Sequence, residues 1–245
     1  MINHHTYDQE ADGELLSWVR QMKEYAPDAL EAYTRLEQVI LKDGALSRKE
    51  KECILVGVNA ARRYEAGMFH HTKAALEAGT TLEELAEILS VCILSRGLPA
   101  WLEGIKALAF AGKSQKVAEG KTVEATSAMR DDAFFDLDEC LNYYQHTFGS
   151  KPQWVMDLAN YQPATLLHYT NLRNGNLNDG NVPRKLKELT LVAINTSERY
   201  PEGVRIHTEG AKSCGATMAE LAECHLIAML TAGMPAWAEG AKLLK

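Results

Sequence analysis

The sequence predicts an all-α protein built as two tandem six-helix modules related by a pseudo-twofold axis. Three observations predict it. Apolar residues recur at helical spacing nearly throughout, no segment alternates with the period of two that strands between hairpin turns would show, and the chain is written twice. A shift of 136 positions lays Trp18 on Trp154, Tyr25 on Tyr161, Pro27 on Pro163 and Tyr33 on Tyr169 without a gap. It then matches Glu52, Asn59, Arg63, Tyr64, Gly67, His71 and Thr72 to Glu188, Asn195, Arg199, Tyr200, Gly203, His207 and Thr208, and "GLPAWLEGIKAL" to "GMPAWAEGAKLL". So long a register marks a duplicated module of roughly 100 residues, and two copies are too few for a solenoid. A face-to-face pair suits them better.

Taken in order, "GELLSWVRQMKEYAP" and "DALEAYTRLEQVILKDG" carry apolar stripes at i, i+3, i+4 and i+7, ended by Pro27 and Gly44. Ser47 with Glu50 forms a capping box that opens "SRKEKECILVGVNAARR", which becomes apolar almost all round and reads as the buried central helix, 47–63, repeated at 183–199. "MFHHTKAALEAG" is a short helix stopped by Gly79, Thr81 with Glu84 opens the next, and Pro99 suits the first turn of the last, where its missing N–H costs nothing. The polar stretch 112–132 reads as a linker between modules at 1–111 and 133–245, and the aromatic segment 133–146 is expected to pack on the second module.

Composition narrows the function. A net charge of −7 disfavours nucleic acid as a partner, and no apolar run approaches the roughly 20 residues of a membrane span. The polar, acidic start lacks the features of a signal peptide, so a cytoplasmic location is expected. Five cysteines without CxxC or CxxxC spacing predict neither a disulfide framework nor a zinc site; metal ligands are expected to be none.

In a diverged duplicate, apolar positions recur because the core requires them, whereas polar residues recurring inside apolar runs need another reason. Glu52, Asn59 and Arg63 fall along one face of the central helix, and a buried carboxylate or amide must be hydrogen-bonded. Counting 1.5 Å per residue from a turn at Glu65-Ala66 puts Asn59 level with His71 and Glu52 roughly 10 Å further along, which favours an Asn–His pairing over a Glu–His one. Read functionally, the set is a proton-transfer site: His71 moves protons, Glu52 holds its tautomer, Arg63 beside it binds an acidic substrate, and Tyr64 and Trp101 wall the pocket. Read structurally, the same polar residues specify helix packing. His70 faces Ile206 in the second copy, so its role is confined to one module.

The stretches "ECILVGVNAARRYEAGMFHHTKAALEAGTTLEELAE" and "ELTLVAINTSERYPEGVRIHTEGAKSCGATMAELAE" resemble the carboxymuconolactone decarboxylase family, which includes the alkylhydroperoxidase-D proteins. In the peroxidase branch a Glu precedes C-x-x-C-x-x-x-H. Laid on this chain, the Glu and His fall on Glu52 and His71 and on Glu188 and His207, but the cysteines fall on Tyr64 and Gly67 and on Tyr200 and Gly203. Without a thiolate and a resolving thiol, alkylhydroperoxidase activity is the less favoured implication. The decarboxylase branch implies loss of CO₂ from a lactone acid of aromatic breakdown without metal or organic cofactor, so no cofactor is expected. The proton-transfer reading takes His71, Glu52, His207 and Glu188 as the catalytic residues. Arg63, Tyr64, Asn59, His70 and Trp101 would then bind a small organic acid or lactone, with Arg199, Tyr200, Asn195 and Trp237 in the second copy. The first module is expected to be the more active because it has two imidazoles. Single-module relatives form rings, so a homotrimer resembling a hexamer is expected. The alternative is a family member without catalysis that acts as a binding or assembly module.

Overall fold

The computed structural model describes residues 17–114 and 133–244, and over them the chain is helical without strands. The first module comprises α1 (Ser17–Tyr25), α2 (Pro27–Leu41), α3 (Arg48–Arg62), α4 (Glu65–Glu77), α5 (Leu82–Arg96) and α6 (Leu98–Ser114). After α7 (Leu137–Phe148) the second module repeats the set as α8 (Gln153–Tyr161), α9 (Pro163–Leu177), α10 (Arg184–Ser197), α11 (Pro201–Ser213), α12 (Met218–Ala232) and α13 (Met234–Gly240). The segment expected to link the modules from 112 is helical through Ser114 as the end of α6, and 115–132 lies outside the described residues. The aromatic segment ahead of the second module is α7. Its Tyr144 and Phe148 form a small core with Val155, Leu166 and Ile206.

The two predicted capping boxes form, Ser47 with Glu50 and Thr81 with Glu84, and the second copy adds Thr217 with Glu220. Each satisfies two otherwise orphaned donors at a helix start. α3 and α10 are buried nearly throughout and pack on each other, so one apolar core runs through both modules.

Both central helices end in an arginine with left-handed backbone, Arg63 at φ 56° and Arg199 at φ 54°. The following N–H groups, Tyr64 and Tyr200, turn back to the carbonyls of Asn59 and Asn195 at 2.9 and 3.0 Å, which closes each helix. The reversal therefore takes two residues, and α4 starts at Glu65, three residues earlier than "MFHHT" suggests. A Cβ on Gly67 would lie 2.5 Å from the Tyr64 ring and 2.9 Å from Asn59 Oδ1, and Gly203 is crowded in the same way by Tyr200 and Asn195. Only glycine fits there.

The modules are locked by a reciprocal exchange of carboxylates. Glu223 of α12 accepts from the Ala45 and Leu46 N–H groups at 3.0 and 2.8 Å and meets the Lys51 ammonium at 3.1 Å. Glu87 of α5 does the same in return, accepting from Asn181 and Val182 at 2.8 and 3.1 Å and meeting Lys187 at 2.8 Å. Lys51 is 2% exposed and directs its other protons at the Ile40 and Lys42 carbonyls, so all three donors are used. Such an exchange is the signature of an isologous interface. Replacing Glu223 by Ala leaves part of a buried ammonium and two N–H groups unmet. It is expected to cost about 2–4 kcal/mol in urea unfolding, with Glu87→Ala close to it. A loss under about 0.5 kcal/mol for both variants would show that the exchange does not hold the modules together.

Candidate functional site

Glu52 lies in the second turn of α3 with no exposed surface, and its Oε2 is 2.7 Å from His71 Nδ1 on α4. An ionised carboxylate only accepts, so Nδ1 carries the proton and Nε2 is left as the free ring nitrogen. Arg48, one turn earlier on α3, donates to Glu52 Oε1. The second module repeats the pair, with Glu188 Oε2 2.8 Å from His207 Nδ1.

The Glu–His contact corrects the Asn–His pairing favoured by counting residues. Because α3 ends at Arg62 and α4 begins at Glu65, the hairpin turns at 63–64 and His71 comes level with position 56. Glu52 is then only four residues, ~6 Å, off level, within reach of a glutamate and an imidazole together. Asn59 instead donates to the Leu55 carbonyl one turn back, as Asn195 does to Leu191.

The remaining predicted residues do not gather around the dyads. Arg63 is not beside His71 but at the opposite end of α3, ~16 Å along the helix from Glu52, because the left-handed cap carries it out to solvent. Arg63 and Arg199 line an open cleft of about 550 Å³ between the ends of α3 and α10, with Arg62, Arg96 and Glu198. Tyr64 and Tyr200 are about half exposed at the same end. Trp101 packs half-buried on the core, and Trp237 is half-buried on α13. His70 does lie at the first dyad, its ring edge-on to His71 with centroids 4.9 Å apart.

Several residues that the sequence reading missed complete the sites. Arg48 and Arg184 recur four residues before each Glu, a duplication signal that could have found them. Glu37 of α2 and its counterpart Arg173 of α9 carry no such signal, since the pair differs in sign. Arg173 is 3% exposed; its guanidinium lies 3.4 Å from Glu188 and donates to the Tyr143 hydroxyl, which Arg184 also reaches at 3.2 Å. With neutral imidazoles, the first site gathers two carboxylates (Glu37, Glu52) and one guanidinium, while the second gathers one carboxylate and two guanidiniums. The two sites thus differ by a carboxyl group in one against a guanidinium in the other.

Burial would raise the Glu188 pKa, but the hydrogen bond from His207 and the charges of Arg173, His207 and Arg184 outweigh it and hold the group below the ordinary 4.5. Glu52 is held low likewise, burial being outweighed by His71 and Arg48. Burial, with help from His71, pushes the His70 imidazole down to about 3, so it stays neutral. Burial also pushes the Cys53 and Cys92 thiols up to about 11 and about 12, well away from thiolate chemistry, and none of the five cysteines is in a disulfide.

Because the folded-state pKa of Glu188 is depressed, its contribution to stability is fully present above pH ~4.5 and is lost as pH falls through the folded value. Urea midpoints followed from pH 6 to pH 3 should therefore decline less steeply below pH 4.5 in Glu188→Gln than in the wild type. The difference should approach one proton's worth, ~1.4 kcal/mol per pH unit. Parallel curves would mean that the Glu188 pKa is not depressed in the fold.

Among the described residues no helix is long and apolar enough to cross a membrane. Two single-module-sized proteins are similar in sequence, neither of them characterised. One, from Methanocaldococcus jannaschii, is 31% identical over 91 residues, 37% of this chain and 88% of its own. The other, from Cupriavidus necator, is 32% identical over 84 residues, 34% of this chain and 74% of its own. The fold is also that of a crystal structure from Burkholderia xenovorans LB400, provisionally named a gamma-carboxymuconolactone decarboxylase subunit. It covers 97% of this chain and 91% of its own at TM-score 0.66 and 21% identity. The model of the carboxymuconolactone decarboxylase family matches residues 27–110 and again 163–245, so the chain belongs to that family, in duplicate.

Proposed function

We propose that this chain is an acid–base enzyme acting on a small organic acid or lactone, with decarboxylation as the reaction class and His207–Glu188 as its centre. The observation that carries this reading is the Glu–His hydrogen bond kept in both modules with an arginine one turn before the Glu. The Glu188 carboxylate fixes the proton on Nδ1, and Nε2 is then the atom that exchanges protons with substrate. Arg184, part-exposed beside the dyad, is placed to hold the substrate carboxylate. When the bond to that carboxylate breaks, CO₂ leaves and the electron pair passes into the conjugated carbonyl of the acid or lactone. Neutral His207 takes up a proton from solvent at Nε2, and the imidazolium so formed gives it to the carbon and returns to the neutral ring.

We choose between the modules on the arginines rather than on the number of imidazoles. The second site, with two guanidiniums, suits an anion better than the first, which has one. This reverses the sequence-based preference for the first module. Arg184 and Arg48 take the substrate-binding role first given to Arg199 and Arg63.

The test is a screen of aromatic-catabolism acids and lactones for CO₂ release. On a turned-over substrate, His207→Gln should lower kcat by about 10²–10⁴-fold with little change in KM. Arg184→Ala should chiefly raise KM, and His71→Gln should do less than His207→Gln. No CO₂ from any acid would leave a binding or assembly module as the reading, and full activity in a folded His207→Gln would remove His207–Glu188 as the centre.

We also propose that the chain assembles as a homotrimer through the outer face of α6. Leu98, Leu102 and Ile105 fall there at i, i+4 and i+7 and are 59%, 56% and 42% exposed. Light scattering should give about three times the 27.2 kDa chain mass, falling towards the monomer in Leu102→Glu. A strict wild-type monomer would refute the assembly.

A further inference from the structure

The two modules repeat one carboxylate–imidazole pair but surround it differently, and the difference is concentrated at two positions. In the first module Glu37 of α2 and His70 of α4 stand against His71. One ligand atom from each of these three residues lies within 4.8 Å of the other two. Glu37 and His71 are buried and His70 is half-buried. In the second module the same positions hold Arg173, Ile206 and His207.

We propose that Glu37, His70 and His71 bind one divalent transition-metal ion in the first module, and that Arg173 supplies the positive charge at the equivalent place in the second. Two imidazoles and a carboxylate are the donors of choice for a borderline cation such as Zn²⁺ or Fe²⁺, whereas Mg²⁺ and Ca²⁺ call for oxygen alone. Ligand atoms around a tetrahedral ion at ~2.1 Å stand ~3.4 Å apart, so atoms within 4.8 Å of one another need draw in by at most ~1.4 Å, a rotamer-scale movement. Glu52 already provides the outer support such a site requires. By accepting from Nδ1 it fixes the His71 tautomer and leaves Nε2 to ligate, and Arg48 fixes Glu52 in turn.

The second module supplies the contrast. Its Ile206 has no ligand atom, and its Arg173 guanidinium occupies the Glu37 position while bonding Glu188 and Tyr143. A guanidinium and a metal ion cannot share that space, so the stoichiometry is one ion per chain. The proposed decarboxylation sits in the second module, and the two readings can therefore fail separately.

Full-length protein stripped with EDTA is to be titrated with Zn²⁺ by calorimetry and with Co²⁺ by visible absorption. One equivalent per chain is expected. His70→Ile, which installs the residue that the second module tolerates, and the near-isosteric Glu37→Gln should each weaken binding at least about 100-fold. Glu52→Gln, which leaves the three ligands in place, should weaken it about 10–100-fold, and His207→Gln should leave it unchanged. No Zn²⁺ binding by wild type, a full equivalent undiminished in both His70→Ile and Glu37→Gln, or its loss in a folded His207→Gln would each overturn the proposal. Circular dichroism monitors folding; should His70→Ile not fold, Glu37→Gln decides alone.

Discussion

Glu52 and Glu188 are carboxylates with no exposed surface at all, and a charge so placed must be met by donors on every side. Much of the local architecture can be derived from that requirement. An arginine one turn back on the same helix and a histidine from the next helix cover both oxygens in each module. The imidazole can reach only if the hairpin between the helices is tight. That in turn requires a residue in left-handed conformation at the reversal and a glycine where Tyr and Asn crowd the start of the next helix. The spacing Glu, Asn, Arg-Tyr, Gly, His is thus one constraint expressed at several positions. The left-handed arginines cost on the order of 1 kcal/mol each, small beside an unmet buried carboxylate.

A second constraint ties the modules to each other. Each contributes a glutamate to the other's loop and buried lysine, and each sends a tyrosine hydroxyl, Tyr33 or Tyr169, towards a carbonyl at the end of the other's fifth helix. With α3 and α10 packed in one core, neither half has a complete surface of its own. The dyad glutamates sit on the same helices that form this interface, so their positions are set by the shared buried core.

Much of this was legible in the sequence, for reasons that differ by residue. The helices announced themselves through local signals: Ser47 with Glu50, Thr81 with Glu84, Pro99, and an apolar stripe broken only where a polar residue has a task. Glu52 and His71 were legible through duplication, because diverging copies keep few buried polar residues without cause. Their contact was not, since a shift of the turn by two residues moves the level of every partner across the hairpin. Arg63 illustrates a different failure. Helical periodicity placed it on the face of Glu52, but the chain leaves the helix at that residue. Glu37 and Arg173 were out of reach altogether: they come from a helix distant in sequence and recur with opposite charge, so comparing the copies hides them.

The covalent joining of the two halves has a consequence for how such sites can change. In a pair of identical separate chains, every substitution strikes both sites at once, and exchanging Glu37 for an arginine would remake the two centres together. Joined in tandem, the halves meet at the high effective concentration of an intramolecular partner, and each is encoded on its own. Symmetry is then free to break one position at a time while the shared core stays intact. Glu37 in one centre against Arg173 in the other is a divergence that no symmetric dimer could reach.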